Sequence, residues 1–299
     1  MAVAREEITQ WFKQLQSSII HALEEQDGGG MFRRDEWERP GGGGGLTCVI
    51  EKATVIEKGG VNFSAVHGPL PERISNALNV PSSDFYATGV SIVMHPKNPF
   101  VPIIHMNVRY FELSSGLWWF GGGIDLTPHY VNEEEANWFH SKMKEACDKS
   151  DPAFHNRFSK WADDYFYIKH RKESRGVSGI FFDRLNEDSE SKSKEELFSF
   201  VQDVGNSFAP VYTKLMGANS EKEYSQENKE FQFFRRSRYA EFNLVYDKGT
   251  KFGLDTDGRI ESILMSLPPE TGWHYDSSWS EGSEESKTIE YLRSAHVPS

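Results

Sequence analysis

Apolar and polar residues alternate through much of the first half of the chain, in strand-length runs: Leu46–Glu57, Val61–His67, Phe85–His95, Pro102–Leu113 and Leu117–Asp125. Such runs, separated by Gly, Pro, Asn and Ser, predict strands joined by short turns. Consecutive strands with short links predict an antiparallel sheet, not parallel winding through helices. Glu72–Leu78 is the one helix candidate among them. Helical spacing frames the sheet. Ile8, Phe12, Leu15, Ile19 and Leu23 predict an amphipathic helix over 3–26, ended by Asp27-Gly28-Gly29-Gly30.

Three more stripes follow the strands. Asn132 caps a helix over Glu133–Lys149, with Glu135 at the capping-box position and Ala136, Phe139, Met143 and Cys147 on one face. Ala153–Lys172 carries Phe154, Phe158, Trp161, Tyr165 and Ile168. After a short strand, Ile180–Leu185, a third helix begins at Ser193 with Leu197, Val201, Val204, Phe208, Tyr212 and Leu215. These stripes are read as core. Further on, the basic-aromatic FQFFRRSRY precedes a predicted second sheet region, YAEFNLVYDKGTKFGL, turning at Asp247-Lys248-Gly249-Thr250. A strand over Ile260–Leu267 is expected to stop at Pro268-Pro269, and the tail from about 282 to 299 to form one short helix with a frayed end. With no internal repeat and no clear linker, the expectation is one α+β domain over 1–299.

Composition narrows the function. Among 299 residues, aromatics reach 13%, which suits large flat surfaces in a core or around a flat ligand. A net charge of −12 argues against a nucleic-acid partner, which would need a basic face. Cys48 and Cys147 make neither a disulfide framework nor a metal spacing, so a reducing compartment is expected. No apolar run approaches the ~18–20 residues of a spanning helix, and no targeting segment is recognised, so the expected location is cytoplasmic. Five consecutive glycines, Gly41–Gly45, follow the charged segment MFRRDEWERP. They read either as a flexible linker or as backbone that a ligand or a partner subunit approaches closely.

The chemistry concentrates in Gly89–Pro128, which holds His95, His105, Arg109, two adjacent tryptophans, a triple glycine and Asp125. Each histidine can exchange a proton near neutral pH or ligate a metal, and His140 and His170 could extend the pair to a four-histidine site, although the separations are irregular. Arg109, with apolar flanks, needs a carboxylate, either Glu112 or one on a ligand; Arg259 has a similar requirement. Asp125 lies among bulky aromatics and bare backbone, where a carboxylate is costly without a donor. That donor could be a ligand N–H admitted by the glycines, or Asp125 could cap its own turn with Thr127. The triple glycine is not a phosphate-binding fingerprint.

Together, GVSIVMHPKNP, HMNVRYFE, WWFGGGIDLTP, DDYFYIKHR, EFNLVYDKGTKFGL and GRIESILMSLPP resemble the oxygen-dependent coproporphyrinogen III oxidases, from the first helix to at least Pro269. The resemblance implies a large antiparallel sheet with helices on both faces, assembled as a homodimer. It implies conversion of the ring A and B propionates of coproporphyrinogen III to vinyl groups, giving protoporphyrinogen IX in haem synthesis. O2 is then the oxidant, no organic cofactor is used, and a divalent metal is left open.

Carried over by motif, His105 would be a proton donor, and Asp125 would hold the pyrrole N–H groups and help deprotonate one. Substrate contacts would come from Ser91, from Asn107, Val108 and Arg109, from Asp247 and Lys248, and from Asp257, Gly258 and Arg259. The glycines Gly41, Gly42, Gly43, Gly44 and Gly45, together with His170 and the segment from Tyr239 through Glu241 to His274, would belong to the dimer interface. His95, His105, His140 and His170 match positions proposed as metal ligands. Two residues depart from the family pattern. Lys248 stands where arginine is usual, which loses bidentate geometry. Asp257 stands where a small neutral residue is usual. A metal-dependent oxygenase and a non-catalytic tetrapyrrole carrier are the rival readings.

Overall fold

A computed structural model describes residues 3–72, 75–76, 80, 83–255 and 258–294. Its organising element is an antiparallel sheet of seven strands. These are β1 (Arg33–Glu38), β2 (Gly43–Glu51), β3 (Ile56–Pro69), β4 (Asp84–Pro96), β5 (Ile103–Leu113), β6 (Trp118–Thr127) and, after a small hairpin of β7 (Tyr167–Ile168) and β8 (Glu173–Ser174), β9 (Gly179–Leu185). The order is β1-β2-β3-β4-β5-β6-β9. β1 through β6 therefore form the meander that the alternating runs and short turns predict.

β1 is a strand where the sequence reading has only a charged segment. Its alternation is of charged residues against Trp37, and a charged edge resists pairing with another chain. The glycine run makes the β1–β2 turn and opens β2. The Arg39 amide donates to Gly43 O at 2.8 Å and the Gly42 amide to Arg39 O at 2.9 Å. Gly42 and Gly43 sit at φ +115 and +80, where a side chain is strained. This is a hairpin turn, not a linker. The predicted helix Glu72–Leu78 lies largely outside the described residues.

Strand parity gives the sheet two unlike faces. Val90, Ile92, Met94, Ile104, Met106, Val108, Tyr110, Phe120 and Ile124 are buried on one. Packed there are α1 (Arg5–Asp27), α2 (Glu133–Asp148), α3 (Pro152–Phe166) and, after the short α4 (Glu187–Glu190), α5 (Lys194–Asn219). The predicted stripes of α1, α2 and α5 are all buried. Asn132 caps α2, but the Glu135 side chain accepts from Asn219 instead of completing a capping box; Ser193 and Glu196 do complete one on α5. At the C-terminal end of α1 the buried Asp27 carboxylate accepts from the amides of Gly30, Thr54, Val55 and Ile56 at 2.8–2.9 Å, which ties the helix to the β2–β3 turn.

The opposite face carries Ser91, Val93 and His95 on β4, His105, Asn107, Arg109 and Phe111 on β5, and Gly121, Gly123 and Asp125 on β6, in matched register. Here the expected second sheet region is helical instead. The segment read as strands is α6 (Gln226–Val245), α7 (Lys248–Asp255) and α8 (Ile260–Leu264), followed after a gap by α9 (Glu284–Ser294). The sequence misleads because α6 buries Arg235, Arg236 and Arg238 beside Phe231, Phe234, Tyr239 and Phe242. Counting arginines as polar breaks its 3.6-residue stripe into an apparent alternation. The turn expected at Asp247 is a helix start, with the Asp247 carboxylate accepting from the Thr250 amide. The predicted Ala153–Lys172 helix ends at Phe166, because the chain turns there into the β7–β8 hairpin.

Candidate active site

Three walls stand around the open face. α6 closes the end where β4 finishes and β5 begins: Tyr239 packs on Val93 and Ile103, and Arg236 donates to Pro96 O at 2.8 Å. On the β9 side, Phe181 stacks on Tyr165 of α3 at 4.4 Å, and Trp161 meets Phe181 edge-on at 5.3 Å. The Tyr165 hydroxyl donates to Asp247 at 2.8 Å. On the β1–β3 side, Ser262 bonds the Thr47 hydroxyl at 2.7 Å and accepts from Asn62 through its carbonyl, while Arg259 pairs with Asp35. Between Asp247 and Arg259, α7 carries the chain from the β9 side toward β2 and β3. The result is a trough floored by β4, β5 and β6.

At the foot of α6 lies the most concentrated chemistry. Asp125, 2% exposed, accepts from His105 Nδ1 at 2.7 Å through Oδ2 and from the Arg175 guanidinium through Oδ1. Cross-strand pairing of His105 with Asp125 in β5–β6 sets the first contact. The second comes from the segment after β8, where Arg175, 3% exposed, also donates to Asn243 and is boxed by the rings of Phe166, Tyr239 and Phe242 at 4.2–4.7 Å. Burial pushes the Asp125 carboxyl up, but Arg175 and His105 outweigh it and hold the group below its ordinary value. Asp125 is thus a fixed anion that keeps the His105 proton on Nδ1. His105, with a quarter of its side chain exposed, turns Nε2 away from that bond.

Arg175 is the residue that sequence reasoning missed. Asp125 does need a donor, but the chain supplies it from 50 residues away, and Thr127 takes no part. The signal was a charged residue, in ESRGVSG, immediately before a strand bound to pair with β6. The triple glycine also has an internal reason. A Cβ on Gly122 would stand 2.5 Å from Asn107 O, one on Gly123 2.5 Å from Ile180 O, and one on Gly121 2.5 Å from Asp183 Oδ1. The neighbouring strands, not a ligand alone, require bare backbone there.

The other predicted site residues divide. Ser91, Asn107 and Arg109 share the trough floor with His105. Arg109 donates to Asn107 Oδ1 and Asp183 Oδ1, both at 2.9 Å; Glu112 faces the opposite side of the sheet and bonds Arg5 and Tyr110. The Val108 side chain is buried in the core, so parity removes it from the trough. Asp247 and Lys248 edge the β9 wall, Arg259 is held by Asp35 at the far one, Gly258 closes the turn between α7 and α8 onto Gly253 O, and Asp257 lies outside the described residues.

The four histidines do not converge. His95 is buried with Nε2 on Ser266 O, His140 bonds Val177 O, and His170 sits between Tyr246 and Glu241. Among the described residues no three His, Cys, Asp or Glu side chains group as metal ligands, so these positions do not fit a shared metal. Tyr239, 1% exposed, is buried within the chain and cannot itself be an interface contact. Glu241 is mostly covered, and the exposed aromatics of that region are Trp273 and Tyr275.

Comparison with known proteins identifies the family. The family model described as coproporphyrinogen III oxidase matches residues 7–297. The Arabidopsis thaliana coproporphyrinogen-III oxidase 1, chloroplastic, is 49% identical over 290 residues, covering 92% of this chain and 74% of the relative. The Drosophila melanogaster oxygen-dependent enzyme is 48% identical over 294 residues, 94% of this chain and 74% of the relative. The human mitochondrial enzyme is 48% identical over 292 residues, covering 93% and 63%. The family match over residues 7–297 and relatives nearly half identical along most of the chain show that it belongs to the coproporphyrinogen III oxidase family.

Proposed function

We propose that this chain converts coproporphyrinogen III to protoporphyrinogen IX, using O2 to turn the ring A and B propionates into vinyl groups in haem biosynthesis. The observation that carries the reading is the His105–Asp125–Arg175 cluster on an open sheet face, in a chain about half identical to enzymes of that name. Each conversion takes a propionate, O2 and a proton to a vinyl group, CO2 and hydrogen peroxide. One proton is consumed net, and two electrons pass from the propionate carbons to O2. The electron-rich pyrrole supplies the reactivity once its N–H is weakened, so the reading needs no organic cofactor.

His105 is the group placed to move protons, with a quarter of its side chain exposed and Nδ1–H fixed on Asp125. Asp125, held ionised, stabilises the imidazolium and positive charge above it. Arg109 and the Ser91 and Asn107 side chains offer donors to the rim carboxylates.

The finer assembly and location belong to the same proposal. The chain is read as a homodimer, through the region of His170 and the exposed Trp273 and Tyr275 with the β1–β2 hairpin glycines; light scattering on the purified protein checks this. The cytoplasmic location rests on the free, buried thiols Cys48 and Cys147. Relatives named chloroplastic and mitochondrial favour an organelle, and fractionation of cells making the full-length protein decides between the two.

The activity test is anaerobic coproporphyrinogen III with purified protein, followed by O2, with and without chelator. Expected are CO2 and vinyl product in both arms; no CO2 overturns the reading. Asp125→Asn should fold and lose about 10²–10⁴-fold in kcat. Turnover near wild type in folded Asp125→Asn would remove Asp125 from the mechanism.

A further inference from the structure

Building on the proposed activity, the trough's β9 wall raises a question that the His105–Asp125 centre does not answer. Two propionates must react at a single centre, so after the first reaction the substrate carries one vinyl and three propionates and has to be presented again. Something must distinguish the new apolar edge from the carboxylate edges.

We infer that Phe181, stacked on Tyr165 and edged by Trp161, is the subsite that receives the first vinyl group while the second propionate reacts. The placement follows from register. Phe181 pairs with Gly123, two residues before Asp125 on the same face, so its ring is a diagonal neighbour of the centre, about 7–8 Å between Cα atoms. Gly123 has no side chain to stand between them. Phe181 and Tyr165 are half-buried and Trp161 is 39% exposed, so the stack presents apolar surface to the trough.

Charge points the same way. Asp183 lies two residues along β9 from Phe181, and Asp247 accepts from the Tyr165 hydroxyl. With Asp183 offset by Arg109, a propionate against this wall would lose hydration to aromatic carbon beside the Asp247 carboxylate; a vinyl group meets neither penalty. Of the two cations there, Arg109 is paired with Asp183 at 2.9 Å, and Lys248 is exposed at the rim 6.0 Å from the Tyr165 ring, where Asp247 of the same turn offsets its charge. Across the trough, the β3–β4 side offers Asn62 and Ser91 instead. The walls therefore orient the half-converted tetrapyrrole, vinyl edge to β9 and carboxylate edges away.

The test uses the full-length chain with two substrates, the tetrapropionate and the monovinyl tripropionate, each prepared reduced and started with O2. In Phe181→Ser the KM for the monovinyl compound should rise at least five-fold more than that for the tetrapropionate, and free monovinyl compound should accumulate at least five-fold above wild type during tetrapropionate turnover. Phe181→Leu should restore both toward wild type. Trp161→Gln, at an exposed position, should raise accumulation about two-fold without disturbing the core. Equal KM changes, or no accumulation in folded Phe181→Ser and Trp161→Gln, overturn the subsite. A wild-type protein that releases no CO2 instead overturns the oxidase reading on which it rests.

Discussion

The pair Asp125–Arg175 is the most consequential contact at the scale of single residues. Two opposite charges, each at most 3% exposed, are tolerable only because each satisfies the other and the guanidinium face lies on three rings. Arg175→Met should strand a buried carboxylate and cost about 3–5 kcal/mol in urea denaturation. The sign of its pH dependence is fixed. A carboxyl whose folded value is depressed contributes stability above its unfolded value and loses it as pH falls through the folded one. Without Arg175 the folded value rises, so the Arg175→Met deficit should be largest near neutrality and shrink in acid. A constant deficit from pH 7 to pH 3 would contradict this account. Sequence exposed two of the cluster's three members: His105 and Asp125 stand in a distinctive run, while Arg175 is 50 residues on, and no local pattern announces which carboxylate a buried arginine will find.

Elements explain why reading by periodicity worked for one half of the chain and failed for the other. β3, β4 and β5 bury most of their apolar side chains on the helix-covered core face, so period two survives in the sequence. α6 buries three arginines on ion pairs, Arg235 with Glu173 at 2.6 Å, Arg236 with Glu57 at 2.6 Å and Arg238 with Glu241 at 3.3 Å. Its buried face is thus partly written in charged letters, and the 3.6 period is lost to a hydropathy count. Where backbone meets backbone, the sequence is again explicit. Gly122→Ala places a methyl 2.5 Å from Asn107 O and 3.0 Å from Phe182 Cζ, between rigid neighbours. The expected cost is about 1–3 kcal/mol, and β5 and β6 must part for it. Thermal melts and kcat should both fall; a neutral Gly122→Ala would show the strands already have that room.

For the whole molecule, Glu241 joins three distant parts. It accepts from Arg171 and His170 next to the β7–β8 hairpin, from Trp273 well beyond α8, and from Arg238 on its own helix. Burial pushes its carboxyl up, but these donors and charges pull it down from 4.5 to about 2. Its stabilising effect is therefore complete above pH 4.5 and is lost as pH falls toward 2. Glu241→Gln should be less stable than wild type at pH 7, with the gap narrower at pH 3. Urea midpoints at the two pH values measure it, and a gap that widens in acid would reverse the sign. The same variant followed by light scattering reports on the proposed dimer, since His170 and Trp273 border its region.

The trough's walls also impose a timetable on synthesis. The floor is a meander of neighbours, complete when β6 emerges from the ribosome, and its pairings need little chain to be searched. The walls are the reverse. Glu57 waits 179 residues for Arg236, and Thr47 waits 215 residues for Ser262. Until residues 235–243 are made, Arg175 has neither Asn243 nor the rings of Tyr239 and Phe242 around it. A nascent chain therefore displays a finished sheet whose buried Asp125–Arg175 pair still lacks its surroundings, and the candidate site is completed only in the last quarter of translation.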